Sequence, residues 1–285
     1  MEIQNNNLDN SYPKFSIAMS VYKNDKPKWF DIALNSIINQ TVTPSEVVLV
    51  VDGEVSEEIN QVIDKYNSNY KNLFKIIRFK NNKGLGIALK TAVENCSYEL
   101  VARMDSDDIS VKNRFEQQLK YYNDYPNLDI IGGDIAEFID SETNVIAKRV
   151  VPESDSQIKE YMKCRCPLNH VTVMFRKSFV LEVGNYIDWF WNEDYYLWIR
   201  MFLNNAVFAN TGTVLVNVRV GDDMYARRGG IRYFFSEARL QKYMYKKGVI
   251  GFIRAFVNIA QRLILQVLMP NWCRAIVFKT LARNH

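Results

Sequence analysis

Four apolar stretches, each closing on a polar turn and separated from the next by a helical pattern, constrain most tightly what this chain can fold into. FSIAMSVY (15–22), EVVLVVDG (46–53), FKIIRF (74–79) and ELVARMD (99–105) have the continuously apolar, β-branched character of strands covered on both faces. Helical spacing fills the gaps: 27–40, with Pro27 near a first-turn position, then about 56–69, then the segment that begins after Gly84 and Gly86. Strands alternating with helices of this length imply right-handed crossovers, and therefore a parallel sheet with helices on both faces. In such sheets ligands bind beyond the carboxyl ends of the strands, where Asp52 and Asp105 stand.

The second half is more mixed. LDIIGGDIAEFID and VIAKRVV read as a hairpin, HVTVMFRKS as a strand running into a short helix, and NEDYYLWIRMFLNN as a helix with a long apolar face. VFANTGTVLVNVRV is strand material, 229–247 is helical, and Pro270 separates two further helical stretches. The expected organisation is a loose lead-in over 1–14, a body over 15–228 in two halves (15–108 and 109–228), and a basic helical extension over 229–285.

At 105–108 the chain places three carboxylates in four positions, DSDD. One aspartate would serve as a turn residue or helix cap, but three exceed capping needs, and like charges this close raise one another's pKa unless a cation offsets them. Asp105 and Asp107 have the spacing for two carboxylates to converge, with pyrophosphate oxygens, on Mg²⁺ or Mn²⁺. Asp52, before Gly53, reads either as a turn residue or as a carboxylate able to bind a base or ribose. Gly84-Leu85-Gly86 reads as a tight turn or a phosphate-facing helix start; it lacks the third glycine of a dinucleotide fingerprint. Glu193 and Asp194 suit a helix N-terminus, and equally a general base toward a sugar hydroxyl. Trp191 is one of several nearby rings able to form a platform under a sugar or isoprenoid. Arg227 and Arg228, followed by two glycines, are either a solvated loop or a mobile phosphate clamp.

Four cysteines (Cys96, Cys164, Cys166, Cys273) lack C-x-x-C spacing, and only His170 and His285 could join them, which argues against zinc and for free thiols in a reducing cytoplasm. The Asn-rich beginning has neither the basic nor the apolar region of a signal peptide. Net charge is only +4, yet beyond Glu237 there is no acidic residue, while nine Lys and Arg lie there. That asymmetry points to anionic lipid rather than nucleic acid. Arg254, Asn258, Gln261, Arg262 and Gln266 fall on one helical stripe, so this segment is amphipathic, fitted to pack on the body or to lie in a membrane interface.

SVYKND after the first strand, VVDG after the second, Asn82-x-Gly84-x-Gly86, MDSDD after the fourth, and ED opening a Trp-containing helix together resemble the inverting family 2 glycosyltransferases of GT-A fold. The likeness covers about 15–220, and RVGDDMYARRGG is similar to the branch that builds bacterial capsule, exopolysaccharide and O-antigen. It implies a Rossmann-like, mostly parallel sheet flanked by helices, with a C-terminal helical extension. It further implies that Val21, Tyr22, Asp52, Gly84, Asp105, Arg227 and Arg228 bind a nucleotide-sugar donor, UDP-linked by preference. Asp107, with Asp105, would hold Mn²⁺ or Mg²⁺; Asp194 would be the catalytic base; Glu193 and Trp191 would face the acceptor, an undecaprenyl-diphosphate-linked sugar or an oligosaccharide. With no Q-x-x-R-W motif and no spanning helix, the resemblance implies single-sugar transfer by a cytoplasmic enzyme resting on the inner face of the plasma membrane. The alternatives are a non-catalytic nucleotide-sugar-binding protein of this fold and a phosphohydrolase, whose D-x-D belongs on the first strand rather than the fourth.

Overall fold

The computed structural model describes residues 12–221 and 230–269. The first four strands, β1 (Phe15–Tyr22), β2 (Glu46–Asp52), β3 (Phe74–Arg78) and β4 (Leu100–Met104), pair in parallel in the order β3-β2-β1-β4. Helices α1 (Pro27–Ile38), α2 (Glu57–Asn69) and α3 (Leu85–Asn95) make the crossovers. Side chains alternate across a strand, so β2 feeds two cores. Val48 and Val50 pack with Ala88, Leu89, Ala92 and Val93 of α3, whereas Val47, Leu49 and Val51 pack with Phe30, Leu34 and Ile37 of α1. Each such fully buried Val, Leu, Ile or Phe side chain contributes about 1.5–3 kcal/mol, and together they fix which strand ends face the same edge.

Beyond β4 the sheet becomes mixed. The short β5 (Ile109–Ser110) leads into α4 (Arg114–Asp124), then the hairpin of β6 (Ile130–Phe138) and β7 (Val145–Arg149), as the sequence pattern led us to expect. Helix α5 (Asp155–Met162), β8 (Met174–Arg176), α6 (Lys177–Glu182), α7 (Glu193–Leu203) and β9 (Phe208–Arg219) follow. The order continues β4-β8-β6-β9-β5, with β8 antiparallel to both neighbours and β6 parallel to β9. One continuous sheet therefore joins the parallel half to the mixed half.

Helices α8 (Ile231–Lys246) and α9 (Phe252–Leu263) pack on the same core through Leu240, Met244 and Ala255. The helix expected after Pro270 lies outside the described residues. No described helix is long and apolar enough to cross a membrane. Asn258, Arg262 and Gln266 of the polar stripe turn inward, while Arg254 and Gln261 stay exposed.

Candidate active site

Three strand ends build one side of the site. At the end of β1, Tyr22 is 40 % exposed, and its backbone N–H donates to Asp25 Oδ2 at 2.9 Å. The Val21 side chain is sealed in the core, so this position can offer a ligand only its backbone. Asp52, at the end of β2, is buried and accepts from Asn82 Nδ2 (2.9 Å), Lys83 N (2.6 Å) and Gly84 N (2.9 Å). Both its oxygens thus hold the 82–84 loop against β2. Gly53 has φ +88°, and a Cβ there would lie 2.7 Å from Asn82 N, so only glycine admits this approach. Gly84, at φ +89°, starts α3 in a backbone shape that other residues adopt at a cost of about 1–3 kcal/mol.

The DSDD segment divides its charges among different partners. Asp105 receives a two-pronged pair from the guanidinium of Arg103, itself buried within β4. Asp108 Oδ1 accepts from the Arg219 N–H at 2.9 Å, which locks the segment to β9, and burial pushes its carboxyl well up. Asp107, like Asp108, faces like charge from its neighbours. Burial, then Asp105 and Asp25, push its carboxyl up to about 7, and Asp25 is likewise raised to about 6, chiefly by burial. Sequence reasoning passed over Asp25 and Arg103, the residue that supplies the protein's own cation. An arginine inside a strand as apolar as ELVARMD was the available signal, since arginine is rarely buried unpaired.

The other side of the site is the start of α7. Asn192 precedes it, and Glu193 and Asp194 occupy its first turn, where the helix dipole favours negative charge. Both are half-buried. Burial, then the Asp194 charge, raise Glu193 to about 7, while burial raises Asp194 against the Tyr195 N–H, Arg103 and Arg149, which favour its charged form. The Cys166 thiol donates to Asp194 Oδ2 at 3.8 Å. Tyr186, hydrogen-bonded to His170 Nε2 at 2.9 Å, lies in the fields of Arg103, Asp105, Glu193 and Asp194. Residues some 90 positions apart in sequence are thereby gathered around Arg103. Of the nearby rings, Trp189, Tyr195 and Trp198 are core, whereas Trp191 is 46 % exposed at φ 55°, stacked on Phe190 with ring centroids 4.6 Å apart. Arg227 and Arg228 lie outside the described residues.

The Glu193 carboxyl supports a sign test. Its folded-state pKa is raised, so the stability it contributes is full below about pH 4 and is lost as pH rises through about 7. Glu193→Gln is therefore expected to raise the thermal midpoint at pH 8 by a few degrees, on the order of 2–4 °C, and to leave it unchanged at pH 4. A midpoint that moves equally at both pH values would refute burial of charge as the cause.

The sequence model described as "Glycosyl transferase family 2" matches residues 16–181, more than half of the chain and all the strand ends just described. The chain belongs to glycosyl transferase family 2. Among relatives of this family 2 protein, an Escherichia coli UDP-Gal:alpha-D-GlcNAc-diphosphoundecaprenol beta-1,3-galactosyltransferase is 35 % identical over 277 residues, covering 97 % of this chain and 99 % of the relative. The amylovoran biosynthesis glycosyltransferase AmsE of Erwinia amylovora is 36 % identical over 256 residues, 90 % of this chain and 94 % of the relative. The fold matches Staphylococcus aureus TarS 1–349, solved in complex with UDP-GlcNAc, at TM-score 0.64 and 17 % identity, over 88 % of this chain and 72 % of that one. It also matches the Pyrobaculum calidifontis mannosyltransferase PcManGT, solved with GDP-Man and Mn²⁺, at TM-score 0.60 and 12 % identity, over 95 % and 80 %. The α/β architecture is that of the GT-A glycosyltransferases.

Proposed function

We propose that the protein is an inverting, non-processive hexosyltransferase that moves one sugar from a UDP-linked donor to a hydroxyl of a lipid-linked acceptor. The observation that carries this reading is the meeting of two carboxylate groups, Asp105–Asp107 at the end of β4 and Glu193–Asp194 at the start of α7, around buried Arg103. One group suits a diphosphate with its counter-ion, the other a hydroxyl proton. Tyr22 and the Asp52-held loop would take the nucleoside, and Arg227 and Arg228 would clamp phosphate. The acceptor reading draws on the diphosphoundecaprenol substrate named for the E. coli relative, with Trp191 as its sugar platform.

The donor set fits a divalent metal. Burial raises Asp107 and Asp25, with the Asp105 charge adding to both and the Asp25 charge adding to Asp107, which is the chemistry of a carboxylate cluster short of positive charge, and Asp105 is already paired with Arg103. Among the described residues no three His, Cys, Asp or Glu side chains converge, so Asp107 would hold Mn²⁺ or Mg²⁺ with Asp105 alongside, and donor oxygens completing the shell. When bound, such an ion neutralises charge on the departing diphosphate. The chain does the rest. Asp194 takes the proton as the acceptor oxygen bonds to the anomeric carbon, and the carbon–oxygen bond to phosphate breaks with its electrons going to the nucleoside diphosphate. A single displacement inverts the anomeric centre and needs no enzyme nucleophile.

The test is release of nucleoside diphosphate from a panel of nucleotide sugars, with Mn²⁺ or EDTA, and a GlcNAc-diphosphate-lipid acceptor. Release by wild type that EDTA removes is expected, together with loss of metal-dependent donor binding in Asp107→Ala, by a factor of at least roughly 100. Unchanged donor affinity in Asp107→Ala would remove that residue from the metal site. A wild type that binds donor with metal yet transfers to no acceptor would favour the non-catalytic reading.

A further inference from the structure

Helix α9 is inside out. A surface helix of a globular protein turns its apolar stripe inward, yet here Phe252, Ile253 and Phe256 are 67, 78 and 65 % exposed, and Leu268 just beyond is 67 % exposed. Beside Ala255, the packing face is polar. Asn258 Nδ2 donates to Gln241 Oε1 and to the Lys163 carbonyl, both at 2.8 Å; Arg262 pairs with buried Glu237 and donates from Nη2 to the Cys164 carbonyl at 2.9 Å. Asn258 and Arg262 are one turn apart on the same face, so this ladder fixes the rotation of the helix, and no roll about its axis hides the phenylalanines without breaking a buried ion pair. Gly230 N donates to Gln266 O at 2.9 Å, bringing the start of α8 against the end of α9, and there Ile231 and Phe235 are each 62 % exposed.

We propose that α9 and the first turns of α8 form an in-plane anchor that inserts into the interface of an anionic bilayer, with the polar face of α9 latched to the catalytic body. The occupant follows from charge. Arg232, Arg239, Lys242, Lys246, Lys247 and Arg254 are exposed on and between these helices, and the sequence has no acidic residue after Glu237. A second copy docking face to face would bring like charges together; anionic headgroups neutralise them, at about 1 kcal/mol for each basic residue near the surface. At 12 residues α9 spans about 18 Å, too little to cross the hydrocarbon layer and suited to lying along it.

The same helices grip the site. Ser236 of α8 accepts from Asn192 Nδ2 at 3.1 Å and donates to the Phe190 carbonyl at 2.6 Å, and Asn192 stands immediately before the helix that opens with Glu193 and Asp194. Arg262 holds the backbone of Cys164, two residues before the thiol that contacts Asp194. The membrane plane and the proton acceptor are therefore set by one rigid path, which orients Asp194 toward an acceptor carried in the same leaflet. This deepens the lipid-linked acceptor reading and rests on it for the substrate alone.

The test uses the full chain in flotation with vesicles of phosphatidylcholine, with or without about one third phosphatidylglycerol, comparing wild type with Phe252→Ser/Phe256→Ser. Both side chains are exposed, so thermal unfolding of the variant should match wild type. Wild type is expected to float with the anionic vesicles only, and the variant to bind at least ten-fold more weakly. Sugar transfer to a short-chain, water-soluble acceptor should be unchanged in the variant, while transfer to a bilayer-embedded acceptor falls about ten-fold. Wild type that does not float, or a variant that floats as well as wild type, overturns the anchor. A wild-type dimer that the variant dissociates, without vesicle binding, assigns the face to a second copy instead. Binding that emerges only on deletion after Met269 assigns it to residues 270–285. Flotation without transfer to any acceptor leaves the anchor standing and sinks the transferase reading.

Discussion

Asp194→Asn is expected to reduce turnover by about a thousand-fold while leaving donor affinity within a factor of two. General-base assistance contributes about 10²–10⁴ to such reactions, and asparagine keeps the shape and hydrogen-bonding reach of aspartate without its basicity. Burial, which raises the Asp194 carboxyl, also increases its appetite for a proton; the Tyr195 N–H, Arg103 and Arg149 oppose that shift. The sign for pH follows. A base must be ionised to act, so turnover should fall as pH drops through a value above the ordinary carboxylate range of about 4, and the residual activity of the variant should lose this limb. A variant that transfers at the wild-type rate, or keeps the acid limb, would show that another group takes the proton. Glu193 is the group to examine then, since it stands beside Asp194 with its own carboxyl raised to about 7.

The sequence carried the first half of the fold because β1 to β4 are covered on both faces, which leaves unbroken apolar runs, and because each run stops at a residue that a strand interior does not tolerate. The same logic made Asp52, Asp105 and Asp107 legible as strand-end carboxylates. It could not tell a carboxylate that meets a ligand from one that holds a loop. Asp52 turns both oxygens onto residues 82–84, thirty positions away, and only the folded crossover reveals that. Asp25 was hidden differently: just ahead of Pro27 it reads as ordinary helix-start chemistry, and its closeness to Asp107 depends on β1 and β4 being neighbours. For α9, spacing defines two faces of a helix but not which one the body takes. Glu237 and the Lys163 and Cys164 carbonyls decide that, and none is a neighbour in sequence.

Arg103→Met is expected to destabilise the fold by about 3 kcal/mol and to silence transfer. Breaking a buried ion pair by removing one partner costs about 3–5 kcal/mol; the lower figure applies because the Asp105 side chain is 32 % exposed and water relieves part of its isolation. The guanidinium also favours the charged forms of Asp107, Asp108, Glu193 and Asp194, so its loss raises all four carboxyls together. Arg103→Lys keeps the charge but not the two-pronged geometry, and should cost about 1–2 kcal/mol with partial activity. The deciding measurement is a double-mutant cycle with Asp105→Asn. If Arg103 serves mainly to offset carboxylate charge, Asp105→Asn should recover at least about 1 kcal/mol of the stability lost in Arg103→Met. It should not recover transfer, because the field over Asp194 stays uncorrected. Strict additivity of the two substitutions would mean that Arg103 acts as a spacer packed between β4 and its neighbours, and that the carboxylates on its two sides are held by something other than its charge.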